Sequence, residues 1–213
     1  MFTNLQGFFE STLGQILTIG VIAVIFLIIL IPNKPQQNFR ADTKAVTLSA
    51  LLVALATGLG MLKLFEMPYG GTVTVFSMLP IVLCGYFLGT RRGVMAGMCV
   101  GLLNLIFGPY VIHPIQLLVD YPFAFGALGL AGLCRNHKHG LIKGYILGLF
   151  ARYICAVVSG IVFFGAYAPD GFNAVTWSLF YNFTYLAAEG ALTLAIISLP
   201  PLKKALEGLK KEI

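Results

Sequence analysis

Charged residues are scarce in this sequence. Lys, Arg, Asp and Glu make up 10% of its 213 residues while 58% are hydrophobic; an ordinary soluble domain carries roughly a quarter charged residues. This balance excludes a conventional water-soluble domain and predicts an integral membrane protein. Paired cysteines are missing too. Cys84, Cys99, Cys134 and Cys155 stand singly, with no CxxC pair and no histidine at ligand spacing, and read as small apolar packing residues. No GxxxxGKS/T loop, GxSxG elbow, HExxH helix or Gly-rich dinucleotide fingerprint occurs. Energy for any transport step must then come from an ion gradient or a partner, and no cofactor is expected in the chain itself. The isolated His113, His137 and His139 supply neither a metal set nor a nucleophile with its base, so no enzyme is expected.

Long apolar runs are what the sequence has in plenty. A helix needs about 20 apolar residues to cross the hydrocarbon core, and seven stretches qualify when Pro, Gly and charge mark the loops: 13–31, 43–64, 75–89, 94–107, 114–134, 141–164 and 174–199. The expected fold is an all-α polytopic membrane helical bundle. It divides into an extra N-terminal transmembrane helix and linker (1–41), a six-helix membrane core (42–202) and a short basic tail (203–213). The first span is kept as an anchor, because it lacks a basic n-region and no small-residue cleavage site follows it.

Basic residues set the orientation. Lys34, Arg40 and Lys44, then Arg91 and Arg92, then Arg135, Lys138 and Lys143, then Lys203, Lys204, Lys210 and Lys211 fall on alternate loops. The pattern predicts an external N-terminus and a cytoplasmic C-terminus in a multi-pass protein of the cell membrane. The net charge of +6 then reflects topology and contact with anionic lipid; nucleic acid is not an expected partner.

Ionisable groups inside a membrane are costly and mark a site or a pathway by default. Here they are Asp120, Arg152 and Glu189. Asp120 lies about 9 Å from the outer end of its helix at 1.5 Å per residue, and His113, Gln116 and Asp120 at i, i+3 and i+7 share a face. On the last span Ser178, Asn182, Tyr185 and Glu189 form a second polar stripe flanked by Trp177 and Tyr181. Both faces enter from the outside. Polar side chains also join helices by hydrogen bonds, and Arg152 and Glu189 at similar depth are expected to neutralise each other. Asp120 has no cation at its own depth, which favours a ligand role. With Tyr110, Tyr121, Phe164, Trp177 and Tyr181 it would receive a flat organic cation, through charge and through cation–π attraction of up to about 2 kcal/mol. Small residues recur every fourth position at Ala50, Ala54 and Gly58, at Gly93, Gly97 and Gly101, and at Gly140, Gly144 and Gly148. Most such faces serve internal packing, and one is free to dock a partner.

The segments "KLFEMPYGGTVTVFSMLPI", "HPIQLLVDYPFAFGALGLAG" and "RYICAVVSGIVFFGAYAPDGFNAVTWSLFYN", with "ALLVALA" in the first core helix, resemble the thiamine-specific substrate-binding components of energy-coupling factor vitamin transporters. The similarity runs from about residue 45 to 199 and leaves out the first span. It implies a six-helix core that takes up vitamin from outside a bacterial plasma membrane. It also implies a transmembrane coupling protein and two ATPases that use the ATP. By the same resemblance, Asp120 and Tyr121, Trp177 and Asn182, and Phe164 fall on ligand-binding positions, and Ala50 and Ala54 fall on the motif that docks the coupling protein. One departure stands out: Ala156 occupies a place where the family usually has histidine.

Thiamine is therefore the expected ligand. The alternatives are a related vitamin or precursor, such as hydroxymethylpyrimidine or a B6 vitamer, on the same architecture, or a self-sufficient secondary transporter with Asp120 and Glu189 as a proton relay. No two-fold repeat of the secondary-transporter kind is visible, which favours the binding subunit. The external loops 66–73 and 166–173, rich in Gly and Pro, are expected to act as gates.

Overall fold

The computed structural model describes residues 43–213 and scattered positions between 11 and 27. The expected N-terminal span 13–31 falls mostly outside the described residues; of its described positions, Leu13, Ile16, Leu17 and Val24 are helical and exposed.

Helix α1 (Thr43–Met61) buries a stripe made by Ala45, Leu52 and Ala56 against the next two helices, α2 (Met78–Leu88) and α3 (Thr90–Asn104). The opposite side, with Val46, Leu51 and Leu55, is exposed, as a lipid-facing surface would be. The chain leaves the helix at Met61, three residues before the expected end of the span. Lys63–Glu66 (β1) and Thr72–Thr74 (β2) form an antiparallel hairpin in the register Lys63↔Thr74, Phe65↔Val73 and Glu66↔Thr72. The β-branched run Thr72, Val73 and Thr74 favours strand over helix. The expected loop 66–73 is thus largely a structured hairpin, closed by a turn at Pro68–Gly70.

Helix α2 (Met78–Leu88) has 11 residues and is buried over nearly its whole length. At about 16 Å it is too short to cross a bilayer, so it sits in the centre, enclosed by α1, α3, the C-terminal half of α4 and α5. Gly89, at φ 95°, turns the chain where a residue with a Cβ would be strained. Helix α3 (Thr90–Asn104) follows at once.

Helix α4 (Pro114–Cys134) is long and apolar enough to span, as are α1, α5 (Gly140–Phe163) and α6 (Ala174–Ile197). It is not a uniform helix. Residues Val119–Phe123 make a π turn around Pro122, and Leu128–Cys134 tighten to a 3₁₀ helix. Pro122 has no N–H for the carbonyl one turn back, and a widened turn accommodates the loss.

Two of the three small-residue faces hold α4 in place. A Cβ on Gly97 would lie 2.2 Å from the Phe125 carbonyl and one on Gly101 2.4 Å from the Tyr121 carbonyl. From the other side, a Cβ on Gly144 or Gly148 would meet the Ala131 or Leu128 carbonyl at 2.7 Å. Helix α4 therefore lies backbone to backbone between α3 and α5, which only glycine permits. The third face, Ala50, Ala54 and Gly58, is exposed on α1, and a Cβ on Gly58 would meet nothing within 4 Å.

The basic tail is a helix. Pro200 opens α7 (Pro200–Glu212) at a position where its missing N–H is harmless. Leu206 is buried, and the Lys210 ammonium stands 4.3 Å from the Tyr86 ring centroid while donating to the Arg135 carbonyl. Burial and the neighbouring Arg135 charge lower the Lys210 pKa, against the pull of Glu207.

Candidate functional site

At the end of the bundle opposite α7, a cavity of about 680 Å³ lies among the hairpin, the loop after α3, and α4, α5 and α6. All seven residues expected at a ligand site line it: Tyr110, Asp120, Tyr121, Phe164, Trp177, Tyr181 and Asn182. Four elements supply them, and sequence spacing alone gives no information on that convergence.

The π turn of α4 carries Asp120 and Tyr121. Asp120 Oδ2 accepts from Gln116 Nε2 at 2.6 Å. Gln116 is 2% exposed and is held by donating to the Tyr110 carbonyl at 3.1 Å and accepting from Ile112 N–H at 3.2 Å. Tyr121 Oη accepts from Tyr110 N–H at 2.9 Å, which ties the loop after α3 to α4. His113, expected on the face of Gln116 and Asp120, is elsewhere. It caps α4 by accepting from Ile115 N–H at 3.2 Å and stacks on Phe163 at 5.2 Å, because a residue just before a helix has extended backbone and does not follow the helical spacing.

On α6, Ser178, Asn182, Tyr185 and Glu189 all face the cavity, as their spacing predicts. Asn182 is committed to protein partners. Its amide nitrogen donates to the Ser178 carbonyl at 2.9 Å and to the Ala156 carbonyl at 3.3 Å, and its oxygen accepts from Tyr185 Oη at 2.9 Å. Ser178 Oγ donates to the Val157 carbonyl at 2.8 Å. These bonds join α6 to α5 and fix the Tyr185 ring.

The expected pairing of Arg152 with Glu189 is not present. Glu189 accepts from Thr74 N–H at 3.0 Å, Thr74 Oγ1 at 2.8 Å, Ser77 Oγ at 3.2 Å and Met78 N–H at 3.4 Å. Among the described residues the ion pair present is the exposed Lys63–Glu66 contact at 2.5 Å. Hydroxyls and the N-terminus of α2 compensate the Glu189 charge, so no cation is needed. Arg152 instead sits over the Phe125 ring at 4.1 Å and lines the same cavity as Asp120, so a cation shares the chamber with that carboxylate.

Aromatic rings close the outer side. Tyr110 stacks on Phe164 at 5.9 Å, Phe164 meets Tyr167 at 6.1 Å, Tyr167 meets Tyr69 at 5.1 Å, Tyr69 meets Tyr181 at 6.4 Å, and Tyr181 meets Trp177 at 5.6 Å. Tyr69 and Tyr167 were missed in the sequence because both lie in Gly- and Pro-rich stretches without periodicity. Tyr181 also fastens the hairpin: its hydroxyl donates to the Pro68 carbonyl and accepts from Gly71 N–H at 2.8 Å. Among the described residues, no group of three or more His, Cys, Asp or Glu is placed to hold a metal ion.

The chamber therefore combines a hydrogen-bonded carboxylate, a guanidinium and a ring of aromatic faces in an all-α membrane bundle. The thiamine transporter protein family (Thia_YuaJ) matches residues 46–207, most of the chain. The chain belongs to that family. It is 30% identical over 182 residues to the thiamine transporter ThiT of Bacillus subtilis strain 168, covering 78% of this chain and 92% of that one. ThiT of Lacticaseibacillus paracasei is 32% identical over 139 residues, 57% of this chain and 69% of that one. A solved structure of ThiT from Listeria monocytogenes, 23% identical, shares the fold with a TM-score of 0.62 over 75% of this chain and 96% of its own. Within this family the chain is a multi-pass membrane protein, and among the described residues four helices are long and apolar enough to cross a membrane.

Proposed function

We propose that this chain is the substrate-binding membrane subunit of a vitamin transporter and captures thiamine in the cavity around Asp120. The observation that carries the reading is that Asp120 shares one chamber with Tyr110, Tyr121, Phe164, Trp177 and Tyr181, in a chain of the thiamine transporter family. The carboxylate offsets a ligand cation or accepts from an aminopyrimidine, and the rings offer stacking and cation–π contact. Asn182 holds the wall the ligand rests on. The chemistry is binding and translocation, with no catalytic step.

The basic loops support a cytoplasmic C-terminus and an external N-terminus, so the cavity, at the end away from α7, faces outward. The exposed Ala50, Ala54 and Gly58 face is the docking surface for a transmembrane coupling protein, itself driven by two ATPases that consume ATP. The hairpin and the 165–167 turn close over bound ligand.

Ala156 favours a second reading. It lines the cavity and brings no ring or polar side chain, so a smaller or differently polar relative, hydroxymethylpyrimidine or a B6 vitamer, is the alternative ligand. Calorimetric titration of the purified protein with thiamine, pyridoxine and hydroxymethylpyrimidine decides. Tight binding of thiamine alone is expected, and binding of another of the three without thiamine would transfer the site to that ligand.

A further inference from the structure

Glu189 has no ligand role in the reading above, yet it is 4% exposed and carries four hydrogen bonds. All four come from one short stretch, the join between β2 and α2: Thr74 N–H and Oγ1 on one carboxylate oxygen, Ser77 Oγ and Met78 N–H on the other. Thr74 and Ser77 hydroxyls also lie 2.6 Å apart, so Thr74 Oγ1, which has one proton, shares it between Ser77 and the carboxylate. Every partner of the carboxylate can act as a donor, which suits a group that only accepts. Ser77, at the N-cap of α2, makes no capping bond through its own side chain. Glu189, from another helix, takes the free N–H of Met78 and puts negative charge at the positive end of α2.

The same helix holds the other end of the hairpin. Two turns outward on α6, Tyr181 binds the hairpin tip at the Pro68 carbonyl and Gly71 N–H. The two attachments differ in chemistry. Tyr181 is a neutral phenol at the rim, whereas Glu189 is a buried carboxylate, and hydrogen bonds to a charged group are stronger than those between neutral groups and costlier to break when buried. A hairpin held this way releases its tip first and keeps its root.

We propose that Glu189 is the root anchor of the hairpin: a positioning residue that pins Thr74 to Met78 against α6, so that the hairpin swings about this join and closes on ligand. The inference rests on the reading that ligand enters the cavity from the hairpin side. It assigns Glu189 an effect on how long ligand stays rather than on which ligand is chosen.

The test uses the purified full-length chain, with thiamine as probe. Hydrogen exchange without ligand should be faster at the tip, residues 67–72, than at Thr74 and Met78. Glu189→Gln should speed exchange at Thr74 and Met78 and raise the thiamine dissociation rate about tenfold, with the association rate little changed. Thr74→Val, which leaves the carboxylate with its three other donors, should give a smaller rise that is not additive with Glu189→Gln. Equal exchange at tip and root, or an unchanged dissociation rate in Glu189→Gln, overturns the anchor. If Glu189→Gln does not fold, an unchanged dissociation rate in Thr74→Val overturns it. Failure of the unmodified protein to bind thiamine would instead sink the functional reading, and the exchange pattern would still judge the anchor.

Discussion

Gln116 donates to Asp120 at 2.6 Å, and it cannot turn away from that bond without breaking two others, to Ile112 N–H and the Tyr110 carbonyl. Asp120→Asn can therefore keep the bond through its amide oxygen while losing the charge. Binding of a cationic ligand should fall by about two orders of magnitude, the scale for removing one partner of a buried charge pair. Binding of neutral hydroxymethylpyrimidine should fall far less. Calorimetry with both ligands checks this, and equal losses would mean that charge is not what Asp120 supplies.

The small-residue faces separate by what they touch. Ala50→Leu or Ala54→Leu adds bulk to an exposed face, so ligand binding should be unchanged while uptake into cells carrying the complete transporter falls strongly. Loss of binding and uptake together would argue that this face packs within the chain instead.

Gly97→Ala should behave in the opposite way. Its new methyl would sit 2.2 Å from the Phe125 carbonyl, and forcing α3 off α4 should cost about 1–3 kcal/mol and disturb the Asp120 turn. Gly58→Ala, with nothing within 4 Å and inside helix α1, should be neutral or stabilising by up to about 1 kcal/mol. Thermal melting of both variants in detergent gives the comparison; similar melting temperatures would contradict the close approach of α3 and α4.

The hairpin tip offers a fourth check. Tyr181→Phe removes the hydroxyl that holds Gly71 and Pro68, and exchange at residues 67–72 should rise without ligand by about an order of magnitude, as expected for losing ordinary hydrogen bonds worth about 1 kcal/mol each. Unchanged exchange at the tip would mean that the phenol is not the latch.

Four of the expected spans, 43–64, 114–134, 141–164 and 174–199, coincide with helices long and apolar enough to cross a membrane, because length and apolarity suffice to mark them; 75–89 and 94–107 were expected to span as well, and the helices there, α2 and α3, have only 11 and 15 residues. The stripe Ser178, Asn182, Tyr185 and Glu189 was legible because α6 is a regular helix from its Asn173 cap onward. Spacing failed where the backbone departs from that regularity. His113 stands at a helix start and caps it, whereas Gln116 and Asp120 stay on one face and bond each other. The partners of Glu189 were out of reach of pattern reading for a different reason. They are hydroxyls and backbone N–H groups more than a hundred residues away, and no residue type announces a backbone donor. The α7 helix was hidden by its charge, although Pro200 at its start and Leu202, Leu206 and Leu209 on one side carried the signal.

Trp177 is the only tryptophan of the chain, and it lines the cavity 5.6 Å from the Tyr181 ring. Titrating the purified protein with thiamine while following Trp177 fluorescence tests the central claim most directly. Saturable quenching at nanomolar thiamine, weakened in Asp120→Asn, is the result predicted. A folded protein that shows neither a fluorescence change nor heat on addition of thiamine would contradict it.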